Sequence, residues 1–185
     1  IVKGKYNCVR NYVKKENTTN YNVNKIYRKS IMEGLRYPNY KYTEDFYMNS
    51  MANLRCNTKV TISDACYYYL KHSNSVTQKK FNKYRLDSID AGKEILKTVN
   101  NEYPDLSIYV VLYILNNIRA LYRLIIESNE NTDNIYKKVL FNEYKYLYDL
   151  WSMKIPNATK TKKNLFGLKL FRNFRIIHDF IYKIR

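Results

Sequence analysis

Leu106-Ser107-Ile108-Tyr109-Val110-Val111-Leu112-Tyr113-Ile114-Leu115 is the longest apolar stretch of the chain. It supplies about half of the roughly 20 residues that a helix needs to cross a bilayer. Asn116, Asn117 and Arg119 follow at once, so a transmembrane helix is not expected. The pattern instead predicts a buried helix, capped by Asp105 and running to about Glu127, at the centre of a helical region.

The flanking sequence repeats the helical pattern. Phe81, Tyr84, Ser88, Ile95 and Val99 recur at helical spacing, and Asn100-Asn101-Glu102-Tyr103-Pro104 ends that run. Asp133 is placed to cap a third helix, with Tyr136, Leu140, Leu147 and Trp151 near one face and Pro156 at its end. A last helix is expected from about Lys163 to the C-terminus, broken or kinked near Gly167. Residues 1–78 have a different texture. A short helix over 4–15 carries Tyr6, Val9, Tyr12 and Val13 on one side. Thr43 is a plausible N-cap for a helix ending near Cys56, with Glu44 and Asp45 in the first turn, where acids complement the helix dipole. Lys59-Val60-Thr61-Ile62 and Cys66-Tyr67-Tyr68-Tyr69-Leu70 are rich in β-branched and aromatic residues and read as two short strands. The expected fold is mostly α with a small α/β part, divided into 1–78 and 79–185.

Lys and Arg total 33 against 16 acids, a net charge of +17. That excess favours anionic partners: nucleic acid, anionic lipid or substrate phosphates. Lys, Asn, Ile and Tyr also share A/T-rich codons, so genome composition is a competing cause. The spacing of Cys8, Cys56 and Cys66 argues against a structural zinc site or a disulfide framework and fits a reducing compartment. Ile1-Val2-Lys3-Gly4-Lys5 lacks an apolar core and an initiating Met, which reads as a fragment without a signal peptide.

An ordered series of motifs runs through the first region. Asn24-Lys25-Ile26-Tyr27-Arg28-Lys29 is followed by Arg36-Tyr37-Pro38, then Glu44-Asp45, then Asp64, Tyr67-Tyr68-Tyr69, His72 and Ser75-Val76-Thr77. In order and spacing, over roughly residues 3 to 80, the series resembles the acceptor-side half of family-2 glycosyltransferases. These are bacterial, inverting sugar transferases with an A-type nucleotide-sugar fold. The resemblance implies that 1–78 is a remnant of the catalytic domain and 79–185 a helical C-terminal domain. It makes Asp45 the general base that takes the acceptor hydroxyl's proton, with Glu44 supporting the loop. Asn24 and Lys25 match the Asn-Lys of the family's Trp-Asn-Lys, with Val23 where Trp is usual. Lys25 would face the donor phosphates or pair with Asp45. Lys71 and His72 would meet the donor diphosphate, and His72 is a candidate ligand for its divalent metal, Mg or Mn.

The family also needs an N-terminal nucleotide-binding half with an Asp-x-Asp-like motif, and none is legible. The chain therefore reads as the C-terminal part of a hexosyltransferase-like enzyme, inactive alone and with no metal expected in this part. It would act on a nucleotide-sugar donor and a glycan or lipid-linked acceptor, in the cytoplasm or peripherally on the inner face of the membrane. From Lys160 to Arg185 eight basic residues and one acid, Asp179, interleave with Leu165, Phe166, Leu168, Leu170, Phe171, Phe174, Ile177 and Ile181. That pattern suits either an anionic membrane surface or a packed helix with a solvated basic face. The alternative to a transferase is a basic helical module, bound to membrane or nucleic acid, without catalysis. Nucleic acid is the weaker choice, because no zinc-finger spacing or ribonucleoprotein motif is present.

Overall fold

The computed structural model describes residues 1–16, 18–64, 66–70, 80–128, 134–159 and 161–173. Ser107–Ser128 forms the central helix, α5. Ile108, Val111, Leu115, Ile118, Tyr122 and Ile125, at alternating 3- and 4-residue steps, are all buried, and Val110, Ile114 and Leu121 widen the buried face. Such a helix must be covered on several sides. Helix α4 (Asp87–Glu102) covers it with Ile95 and Val99, after a 3-10 turn at Lys83–Leu86. Helix α6 (Asn134–Trp151) adds Leu140, Tyr144 and Leu147. The short α7 (Ile155–Ala158) adds Ile155, and α8 (Lys162–Asn173) adds Leu168 and Phe171. The Phe171 ring sits edge-on to Tyr122 at 5.0 Å and to Tyr144 at 4.7 Å, the arrangement favoured by the ring quadrupole. Burying a side chain of this size contributes roughly 1.5–3 kcal/mol.

By length and overall apolarity α5 is long enough to cross a membrane, although no single unbroken apolar run in it is. Half of its most apolar stretch is buried against its neighbours.

The N-terminal region packs onto the same core. Strand β1 (Val2–Lys3) pairs antiparallel with β2 (Thr58–Lys59), with Val2 opposite Lys59 and Lys3 opposite Thr58. Helix α1 (Lys5–Val13) buries Val9 and Tyr12, α2 (Lys29–Met32) is one short turn, and α3 (Glu44–Arg55) buries Phe46, Ala52 and Leu54. The Phe46 ring stacks on Tyr113 of α5 at 3.9 Å, so residues from the two regions share one core. The 78/79 boundary lies outside the described residues.

The helical reading holds: beyond Lys80 the described residues contain helices and no strand. The two predicted strands do not form. Only Lys59 of the first belongs to a strand, and the second, 66–70, has no ladder. A strand needs a partner for its N–H and C=O groups, and β1 offers only two residues. Val60, Ile62, Tyr68 and Leu70 consequently stay exposed, Tyr68 at 89%. Two details of the helices also differ. α6 ends at Trp151, and Pro156 lies inside α7, where the first turn tolerates its missing N–H. α8 continues through Gly167 without a break as far as Asn173. The Asp133 cap and the end of the last helix lie outside the described residues.

Candidate functional site

Glu44 and Asp45 open α3, as the sequence predicts, but the entry is built differently. Thr43 occupies the N-cap position in a left-handed conformation, φ 66° and ψ 15°. For a β-branched residue that backbone is a true outlier and costs about 1–2 kcal/mol. Its side chain makes no cap bond; the hydroxyl donates to the carbonyl of Tyr42 at 2.5 Å. The surrounding contacts hold this strained corner. The Asp87 carboxylate, at the start of α4, accepts the backbone N–H of Lys41 at 2.7 Å and of Tyr42 at 3.2 Å. The Tyr40 hydroxyl donates to Glu94 at 2.8 Å, and Asn82 donates to the Tyr42 hydroxyl at 2.9 Å. Asp87 thereby supports the 40–42 loop; Glu44 is half-buried with no hydrogen bond or ion pair among the described residues.

Asp45 is half-buried and points at the 20–27 loop. Its Oδ1 accepts the side-chain amide of Asn22 at 2.8 Å and its Oδ2 accepts the Asn22 backbone N–H at 3.3 Å. The same Asn22 amide also donates to the Tyr37 hydroxyl at 2.9 Å. Asn49, one turn along α3, donates to the Asp45 carbonyl at 2.9 Å and to the Asn20 carbonyl at 2.6 Å. The Tyr27 hydroxyl donates to Asn49. Burial, followed by the nearby Cys56, Tyr37 and Asp45, raises the Tyr27 phenol well above its ordinary range and keeps it a donor. Neutral amides and phenols thus surround the carboxylate. Four lone-pair sites are available on a carboxylate and Asn22 fills two, so Asp45 retains the capacity to accept a proton.

Lys25 does not reach Asp45. Its ammonium donates to Thr19 at 3.0 Å, to Asn24 at 2.8 Å and to the Tyr21 carbonyl, closing its own loop. No Lys25–Asp45 ion pair is among the salt bridges of the described residues. Burial lowers the Lys25 ammonium's pKa, Lys59 lowers it further, and Asp45 opposes both. Asn24 turns toward Thr19 and Lys25, so both residues of the Asn-Lys motif brace the 19–25 loop. Lys71 and His72 lie outside the described residues.

Sequence reasoning missed Asn22, Asn49 and Asp87. Asn49 had a signal, since it lies four residues after Asp45 and so on the same helical face. Asn22 and Asp87 reach their partners across long sequence separations and had none.

Among the described residues no three His, Cys, Asp or Glu side chains converge, and Asp45 has amide and phenol neighbours. Compared with models of known protein families, with characterised proteins and with solved structures, the chain gives no match.

Proposed function

We propose that this chain is the acceptor-side part of an inverting glycosyltransferase, with Asp45 as its general base. The observation that carries the reading is the Asp45 carboxylate itself. It is fixed at a strained helix entry, gripped on both oxygens by one neutral residue, and left unpaired by any cation among the described residues. The two-point grip fixes its direction, which suits a base that must meet a hydroxyl in one orientation.

In the reaction, the acceptor oxygen forms a bond to the sugar's anomeric carbon and its proton passes to Asp45. The bond to the nucleoside diphosphate breaks on the opposite side and takes its electron pair to the leaving phosphate. Attack from the face opposite the leaving group inverts the anomeric configuration. Tyr37 hydrogen-bonds to the amide that holds the acid and is half exposed, so it offers a face on which an acceptor sugar can stack.

Further support comes from apolar side chains without cover. Val23, Val60, Ile62 and Leu70 are exposed, and Ile26 is fully so. Rich in β-branched and aromatic residues and unpaired, 60–62 and 66–70 suit addition to the edge of a larger sheet than the described residues contain. A nucleotide-binding half supplied by the rest of the protein would provide that edge and the donor site. The test is to incubate the full-length protein with a panel of uridine- and guanosine-diphosphate sugars and a lipid-linked glycan acceptor. Release of nucleoside diphosphate with an anomerically inverted product is expected; a retained configuration, or no turnover with any donor, would count against the reading.

A further inference from the structure

Helix α6 carries apolar side chains on two separate faces. Leu140, Tyr144 and Leu147 are buried. On the other face Ile135, Val139, Tyr146 and Leu150, with Met153 just beyond the helix, are 54% to 88% exposed. At 3.6 residues per turn the four helical ones lie within an arc of about 60°. The outer face of a surface helix is ordinarily polar, so this stripe calls for a partner.

The charges beside it say which partner. Lys138 and Lys145 border the stripe on one flank. Both acidic side chains of α6 are engaged elsewhere: Glu143 pairs with Lys93 of α4 at 2.9 Å, and Asp149 takes the Arg172 fork of α8 at 2.7 Å on both oxygens. The Arg172 guanidinium holds the Asp149 carboxyl below its usual range, so it stays ionised and paired. Among the described residues neither Lys138 nor Lys145 forms an ion pair, although Lys145 lies near enough to Asp149 to help hold its carboxyl down. On a smaller scale, α8 repeats this composition, with exposed Phe166 one turn from Lys162, Lys163 and Lys169. The remainder of that helix is packed: Leu168 and Phe171 are fully buried.

We infer that the outer face of α6 docks on an anionic lipid surface. The helix lies in the plane of the interface over its length of about 27 Å, with Ile135, Val139, Leu150 and Met153 inserted and Lys138 and Lys145 on the headgroups. A second copy is the poorer occupant, because it brings an identical lysine border and another +17 chain to the same contact. The surface is separate from the Asp45 site and does not depend on its chemistry.

The test is co-sedimentation of the full chain with phosphatidylcholine vesicles, and with vesicles containing about a third phosphatidylglycerol. Two double variants are compared, Leu150→Glu with Met153→Glu, and Lys138→Glu with Lys145→Glu. All four positions are exposed, so thermal unfolding should be unchanged and serves as the folding control. Binding to the anionic vesicles should exceed binding to the neutral ones, weaken as salt rises, and fall about tenfold or more in each double variant. Equal recovery with both vesicle types, or wild-type binding by either folded variant, would overturn the proposal. So would a lipid-free dimer in sedimentation equilibrium that Leu150→Glu with Met153→Glu converts to monomer, since a second copy would then own the face.

Discussion

Asn22 holds Asp45 at two points, its side-chain amide on Oδ1 at 2.8 Å and its backbone N–H on Oδ2 at 3.3 Å. A loop residue 23 positions away thereby sets the direction of the second acid on α3. Replacing Asn22 with Ala removes the shorter bond and the Tyr37 contact while keeping the backbone bond. Hydrogen bonds to a charged group contribute about 1.5–3 kcal/mol, and this one is only part-buried, so a loss of about 1–2 kcal/mol is expected. Urea unfolding measures it. An unchanged midpoint would mean that the bond does not hold the loop.

Thr43 gives a second prediction. Gly already outranks Ala at an N-cap. At φ 66° the gap should widen by about 1 kcal/mol, because Gly enters the left-handed region without a Cβ penalty. Thr43→Gly should unfold at higher temperature than Thr43→Ala, a pair that shares the loss of the hydroxyl. The relaxed corner should also lower transfer in the full-length protein. The opposite stability order would show that the left-handed corner carries no strain.

The helical half of the fold was legible because its residues repeat at helical spacing and α5 is apolar enough to demand a covered position. The entry of α3 was legible in outline from Thr43-Glu44-Asp45. What could not be read is what depends on contacts distant in sequence. Asn22 and Asp87 gave no local hint of their partners, and nothing in a threonine announces a left-handed backbone. The two strands were misplaced for a related reason. The composition of 59–62 and 66–70 reports what these residues do beside a partner strand, and among the described residues only Val2–Lys3 pairs there. Lys71 and His72 lie beyond the described residues.

Two glycines in helices should respond to alanine with opposite signs. A Cβ at Gly92 would lie 2.7 Å from Ile114 Cγ1, inside the α4–α5 contact, where a branched side chain close to its backbone has little room to yield. Gly92→Ala should cost about 1–3 kcal/mol through overpacking, partly offset by helix propensity. A Cβ at Gly167 would meet the Arg119 guanidinium at 2.6 Å, the far end of a flexible side chain that can swing aside. Gly167→Ala should be neutral or stabilise by up to about 1 kcal/mol. Thermal unfolding of the two variants side by side checks this. Equal destabilisation would contradict the difference in packing.

Alkaline unfolding should be tied to buried tyrosines. Burial pushes Tyr113 up to about 12 and raises Tyr12 and Tyr144 as well. Their folded pKa values lie above the unfolded value of 10.0, so the stability they contribute is complete below pH 10.0 and is lost as pH rises through the folded values. Tyrosinate absorbance should therefore rise in two stages, exposed tyrosines first and the buried set together with loss of helical circular dichroism. A single smooth titration with the helix signal intact would contradict the burial.

The central claim is tested most directly by Asp45→Asn in the full-length protein. The amide keeps the shape and removes the base, so folding and donor binding should persist while turnover with nucleotide-sugar and acceptor falls by about 10²-fold or more. A folded Asp45→Asn variant that retains more than about a tenth of wild-type turnover would contradict the general-base role.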